Sequence, residues 1–301
     1  MPPTTKVTTV RKKKPATTST STRKPRTRKP KKKSFTERYK YKIVIAIIVL
    51  LLFSPFYYGK IIRTTVSTGR WIKDLFIFNE YPHYEKLNVK VPRRYYVHGI
   101  DVSSYQQKIK WSLVDSMNDD GVKISFAFIK ATEGVTLVDP YFQRNWRESK
   151  ENNIIRGAYH YFKPRKSGLW QARFFMQTAK FEQGDLPPVL DIEEIGNLSK
   201  AELQQNVQAF LDEVERKVRV KPIIYTGYKF YVDYLKGKFE DYPLWVAHYY
   251  QPKLKLENTE WKFWQHSDKS TIDGIKGKTD LNVFNGDEED LSALLIQHHL
   301  Y

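Results

Sequence analysis

The sequence predicts an α/β barrel, and two observations predict it. After residue 95, short runs rich in β-branched and aromatic residues alternate five times with amphipathic helical patterns, and three further strand-like runs then follow without helices. The strands are expected at 97–102, 124–131, 155–162, 189–193, 222–226, 244–249, 261–266 and 280–284, with helices near 109–118, 141–152, 168–181, 199–218 and 229–235. The fourth helix has the plainest start. Ser199-Lys-Ala-Glu202 is a capping box, in which hydroxyl and carboxylate each satisfy one backbone N–H, and Leu203, Val207, Phe210, Leu211, Val214 and Val218 then share one face. Strands alternating with helices imply a parallel sheet, and eight strands can close into a barrel, here with its last third lacking helical cover. No repeat of fixed period is visible, which sets solenoids and propellers aside.

Composition bounds the rest. With 41% hydrophobic and 15% aromatic residues, the 301-residue chain has enough apolar side chain for a large core, so a wholly disordered protein is excluded. The absence of cysteine excludes disulfides, thiolate metal sites and a cysteine nucleophile. The net charge of +18 sits almost entirely at one end: residues 1–42 hold 16 Lys and Arg against the single acid Glu37, while the other 259 residues carry 35 basic and 32 acidic side chains. A nearly neutral folded part has no basic stripe for phosphate, so no nucleic-acid partner is expected. The first 34 residues are mainly Thr, Ser, Pro, Lys and Arg with little to bury, and are expected to be disordered.

Residues 43–59 carry no charge. At ~1.5 Å per residue they would span roughly 25 Å, slightly short of a ~30 Å hydrocarbon core, and Lys42 and Lys60 can snorkel across the difference. Phe56, Tyr57 and Tyr58 stand where an interfacial aromatic belt would be. The exit from the run lacks the small-x-small pattern of a cleaved signal peptide, so 43–59 reads as one transmembrane anchor in a lipid bilayer. Lys and Arg beside a span resist translocation, which leaves residues 1–42 as a cytoplasmic tail and exports the rest, placing the barrel in the periplasm or outside the cell. Residues 60–95 read as a partly packed stalk, 96–290 as the barrel and 291–301 as a C-terminal tail.

In such barrels chemistry sits where strands end. The acids placed there are Asp101, Glu133, Asp191, Glu193 and Asp280. In Val189-Leu-Asp-Ile-Glu193 the two carboxylates are two residues apart on a strand, so they point to one face with α-carbons roughly 6.6 Å apart. Burying like charges together raises the pKa of at least one, which lets a carboxylic acid keep its proton near neutral pH. A buried acid beside a second carboxylate is what glycosidic cleavage needs: one group protonates the leaving oxygen, and the other stabilises the positive charge developing on the sugar.

At these residues the sequence resembles a known family. Gly99-Ile-Asp-Val-Ser-Ser-Tyr-Gln106, Phe128-Ile-Lys-Ala-Thr-Glu-Gly134, Gly157-Ala-Tyr-His-Tyr-Phe162 and Val189-Leu-Asp-Ile-Glu193 look like successive motifs of the glycoside hydrolase family 25 muramidases, the Chalaropsis-type lysozymes. Ile224-Tyr-Thr-Gly227, Leu244-Trp-Val-Ala247, Phe263-Trp-Gln265, Gly274-Ile-Lys-Gly277 and Asp280-Leu-Asn282 follow in the family's order. The resemblance covers about residues 96–286. It implies a flattened (β/α)5β3 TIM-like barrel that hydrolyses the β-1,4 bond between N-acetylmuramic acid and N-acetylglucosamine in peptidoglycan glycan strands, with net retention. Position by position, it makes Glu193 the proton donor, Asp191 its partner acting on the substrate's N-acetyl group, and Asp101 and Asp280 the other pocket carboxylates. It puts Tyr159, Tyr161, Tyr225, Trp245 and Gln265 along the sugar groove, where each could equally pack the barrel. Glu133 is either a groove residue or the partner of Lys130. A non-catalytic peptidoglycan-binding barrel is the competing reading. His160, between two tyrosines, reads as a structural histidine, and His298 and His299 fall in the tail. No His, Asp and Glu set has metal-ligand spacing, so neither metal nor cofactor is expected.

Overall fold

The computed structural model describes residues 35–52, 80–256 and 259–297, and the chain divides into two units, residues 1–67 and 68–301. Residues 1–34 of the expected disordered tail 1–42, residues 53–59 of the expected span, stalk residues 60–79 and both tail histidines lie outside the described residues, whereas residues 35–42 of that tail are helical. The described part of the first unit is the helix Phe35–Leu52. Among the described residues no helix is long and apolar enough to cross a membrane. The reason is where this one starts: Glu37, Arg38, Lys40 and Lys42 occupy its first turns. Beyond them Ile43, Val44, Ile45, Ile47, Ile48 and Val49 are all exposed.

The second unit is a closed sheet of eight strands with a hairpin against its side. The hairpin pairs β1 (His83–Tyr84) with β2 (Val89–Lys90). The barrel strands are β3 (His98–Val102), β4 (Ile124–Glu133), β6 (Ile155–Tyr161), β7 (Val189–Asp191), β8 (Ile223–Gly227), β9 (Leu244–Ala247), β10 (Phe263–Ser270) and β11 (Thr279–Phe284); β5 (Leu137–Val138) folds back on the end of β4. Their order is β3-β11-β10-β9-β8-β7-β6-β4, and pairing of β3 with β4 closes the ring. Helices Trp111–Ser116, Phe142–Glu151, Gly168–Thr178 and Lys200–Val218 follow the first four barrel strands; after β8 a turn at Tyr228–Phe230 runs into a π-turn at Tyr231–Leu235. The capping box at Ser199 and Glu202 is formed as expected.

One strand corrects the expected parallel sheet. β11 is antiparallel to both neighbours, β10 and β3, whereas the other barrel pairings are parallel. Only residues 271–278 join β10 to β11, too few for the crossover that a parallel return requires. The start of β11 therefore lies at the rim where the other strands end, and Asp280 stands in register with Asp101.

Inside the barrel, side chains divide by level. The lower interior is apolar: Phe126, Phe128, Val189, Ile223, Phe263 and Phe284 are all buried, with Trp245 stacked on Phe128 at a centroid distance of 4.2 Å and Phe263 edge-on to Phe128 at 5.1 Å. Two glycines make that packing possible. A Cβ on Gly99 would lie 2.3 Å from the Phe126 ring, and one on Gly157 would lie 2.6 Å from Phe128. The outer faces of the strands, with Ile100, Ile129, Leu190, Ile224 and Val246, form a second core with the surrounding helices.

The barrel body is longer than the 96–290 expected from sequence. Tyr81, Tyr84, Leu87, Val89, Val91 and Tyr95 are buried, the Leu87 carbonyl accepts from the Thr271 N–H at 2.8 Å, and Asp119 accepts from the N–H groups of Lys86 and Leu87. Residues 80–95 are thus wall, not stalk. At the other end a helix, Glu288–Leu294, crosses the expected boundary with the tail; Leu291 and Ile296 are buried, and Ile296 exchanges backbone hydrogen bonds with Gly184 and Asp185.

Candidate active site

The rim where the parallel strands end and β11 begins surrounds a cleft of about 370 Å³. Period-two alternation explains its lining: Phe128, Val189, Ile223, Phe263 and Phe284, inward-facing lower down, are succeeded two or four steps along the same strands by Lys130, Asp191, Tyr225, Gln265 and Asp280, and Asp101, Tyr159 and Tyr161 stand two or four steps beyond Gly99 and Gly157. Glu193 reaches the cleft from just beyond β7.

Five carboxyls line the cleft; Asp268 stands on the rim, and the environments of the other four differ. Asp101 is held by donors: Gln265 Nε2 at 2.8 Å, Asn282 Nδ2 at 2.7 Å, and the carboxyl of Asp280. Burial raises the pKa of both aspartates, and because two charges cannot share this site, Asp280 keeps the proton that it donates to Asp101. The donors are themselves fixed. Tyr225 and Tyr249 hydroxyls donate to Gln265 Oε1 at 2.8 and 2.7 Å, which orients its amide, and Trp245 Nε1 donates to Asn282 Oδ1 at 2.8 Å.

Asp191 is buried and its Oδ1 has no hydrogen-bond partner among the described residues. Burial, then the neighbouring charge of Glu193, raises its carboxyl well above the usual range, while the Lys130 ammonium opposes the shift. Glu193 is open to solvent at the cleft mouth. Crowding by the cleft walls raises its pKa; a hydrogen bond with Tyr225 and the charge of Lys130 pull it back, and Glu194 adds to the rise. The cleft therefore holds an acid that water and substrate can reach, next to a buried carboxylate oxygen that lacks a donor. An unpaired buried acceptor is costly, so Asp191 Oδ1 is poised to take an N–H or O–H from a bound molecule.

Of the groove residues expected from sequence, Tyr159, Tyr161, Tyr225, Trp245 and Gln265 all line the cleft. Trp245 is fully committed to packing on Phe128 and to Asn282, so its ring is the floor of the site and not an open sugar platform. Glu133 takes its bland alternative: it pairs with Lys130 at 2.7 Å and Lys163 at 3.2 Å and is absent from the lining. Burial would raise its pKa, but the two ammonium groups more than offset this and hold it low. His160 is structural as expected, buried between Thr132 Oγ1 at 2.7 Å and Gln171 Oε1 at 3.2 Å. Sequence reasoning missed Lys130, Tyr249 and Asn282 as site residues. Asn282 had a usable signal, since it lies two positions after Asp280 and so shares its face.

Residues 100–275 match glycosyl hydrolases family 25. The chain belongs to that family. It is 51% identical over 229 residues to the uncharacterized protein YegX of Escherichia coli strain K12, covering 76% of this chain and 84% of that one. Lysozyme M1 of Streptomyces globisporus is 34% identical over 213 residues, covering 66% and 71% of the two chains. Among solved structures, a family 25 glycosyl hydrolase from Bacillus anthracis superposes with a TM-score of 0.63 at 30% identity, covering 70% of this chain and 96% of that one. The family 25 barrel is accordingly a glycosidase of the lysozyme and muramidase class, a hydrolase of peptidoglycan.

Proposed function

We propose that the chain is a membrane-anchored muramidase that cuts the β-1,4 bond between N-acetylmuramic acid and N-acetylglucosamine with net retention. The observation that carries this reading is a pair in the cleft: a reachable acid, Glu193, beside a buried Asp191 whose Oδ1 lacks a donor among the described residues. The acetamido N–H of the sugar supplies that donor. Bound in this way, Asp191 is stabilised as the anion, and its charge in turn raises the pKa of Glu193 and keeps the proton there. Glu193 then protonates the leaving oxygen as the acetamido oxygen attacks the anomeric carbon, and Asp191 offsets the positive charge of the resulting ring. Water, deprotonated by the Glu193 carboxylate, opens that ring from the face the leaving group left, so configuration is retained. Asp101, Asp280 and Asn282 form the rigid polar wall against which the sugar lies.

The anchor is residues 43–59, with the N-terminus cytoplasmic and the barrel in the periplasm or outside the cell. Its support is the uncharged run itself and the exposure of apolar side chains from Ile43 to Val49, which water does not favour and lipid does.

Purified sacculi incubated with the full chain are expected to release soluble muropeptides with new reducing ends on muramic acid. Reducing ends on N-acetylglucosamine would overturn the bond assignment, and binding without release would favour the non-catalytic barrel. For topology, protease added outside spheroplasts should spare a tag at residue 5; its digestion would reverse the orientation.

A further inference from the structure

The wall of the cleft formed by β10 has an outer side. Along the rim Asp268 faces the cleft, whereas its neighbours Ser267 and Lys269 line a second groove of about 500 Å³, and Tyr249 and Tyr250 divide in the same way. Because consecutive strand residues point to opposite faces, a single strand's thickness separates groove from cleft. The opposite side of the groove is the β1–β2 hairpin, through Tyr81, His83, Asn88 and Lys90. That hairpin precedes residues 100–275, whereas the β10 side of the groove lies within them.

Its chemistry is one-sided. Lys90 and Lys269 line it, His83 stands beside them, and among the described residues no carboxylate is in its lining. Asp268, on the cleft side of the rim, accepts from the Tyr250 hydroxyl, and its charge also acts on Lys269, which bonds Tyr250. The Lys269 ammonium lies 4.8 Å from the Tyr250 ring centroid, and the Tyr81 ring is buried beneath. A site with an aromatic floor and ammonium groups at its edge suits a carboxylate carried on a short apolar stem. In peptidoglycan each muramic acid carries such a group, a short peptide with free carboxylates, attached to the sugar and not to the chain ends.

We propose that this groove binds the carboxylate-bearing peptide of the muramic acid whose sugar lies in the cleft, so that the enzyme reads peptide and glycan together across the β10 rim. The inference rests on the peptidoglycan reading above and adds a second recognition element to it.

The test compares two substrates, glycan chains with their peptides and the same chains stripped of peptide by an amidase, for the full-length protein and its K90E/K269E variant. The native protein is expected to show a KM lower by roughly tenfold on the peptide-bearing chains, an advantage that shrinks as salt rises. The variant should lose that advantage and keep the native kcat and KM on stripped glycan. A K90Q/K269Q variant should fall between, and equal melting temperatures confirm that all three are folded. Equal KM values for the native protein on both substrates, an advantage that survives charge reversal, or equal damage on both substrates would each overturn the proposal. Failure of the native protein to cut either substrate would instead sink the muramidase reading.

Discussion

The two ends of the barrel interior are built by the same strands on the same inward face, yet they obey opposite rules. At the lower level Phe126, Phe128, Phe263 and Phe284 exclude water completely and leave no polar atom to satisfy. A few ångströms higher, Asp101, Asp191 and Asp280 are taken out of water although each would be more stable in it, as their raised pKa values record. The upper level is a cost that the lower level offsets. A barrel can hold unpaired carboxyl chemistry at its mouth because its floor is close-packed aromatic core.

The largest effect that separates the two levels is expected at Glu193. Glu193→Gln keeps the shape and removes the proton, so turnover should fall by about 10²–10⁴ while the melting temperature stays unchanged. More than about a tenth of native activity would remove Glu193 from the role of acid. Asp191→Asn comes next. It should slow the chemical step on the order of 10²-fold with glycan affinity nearly unaltered. Since Oδ1 of Asp191 holds no other group, thermal stability should not fall; a lower melting temperature together with lost activity would mean that the carboxylate serves the barrel and not the reaction.

Phe128→Ala tests the floor. Truncating a fully buried ring that touches Trp245, Phe126 and Phe263 should cost about 3–5 kcal/mol in urea unfolding, with activity lost only in proportion to unfolded protein. A loss below about 1 kcal/mol would show that the lower level does not carry the stability assigned to it.

The smallest effect is one of pH. Asp280 has its pKa raised in the fold to about 9, so the folded chain binds this proton more tightly than the unfolded chain does. The resulting stability is complete below the ordinary carboxylate range and is lost as pH rises toward about 9. Asp280→Asn keeps a donor toward Asp101 without a titrating proton, and should flatten the decline of melting temperature over that interval. An unchanged slope would place the shared proton elsewhere.

What was legible in the sequence was local. Strand runs and the capping box at Ser199 depend on residues a few positions apart and appear in the fold where spacing put them; Glu193 falls two residues past the end of β7 yet still lines the cleft with Asp191. What was not legible depends on partners far along the chain. The reversal of β11 is set by the short connection 271–278, and only that reversal brings Asp280 opposite Asp101. Tyr249 gave no sign from its neighbours that it would orient Gln265, which in turn orients Asp101. The hairpin at 83–90 looked like stalk because its strands are two residues long and its apolar residues, such as Leu87 and Val91, find their period only against the outside of the barrel.

The reversed last strand also decides where the last described residues lie. Running downward from the rim, β11 delivers Phe284 to the floor, and the segment through Leu291 and Ile296 closes that end beneath the aromatic core. Residue 297 thus lies at the pole opposite the cleft. A dye, an affinity matrix or a fused reporter joined there would stand clear of a glycan entering the mouth, so the enzyme could be immobilised by this end with its working face turned toward the wall it is to digest.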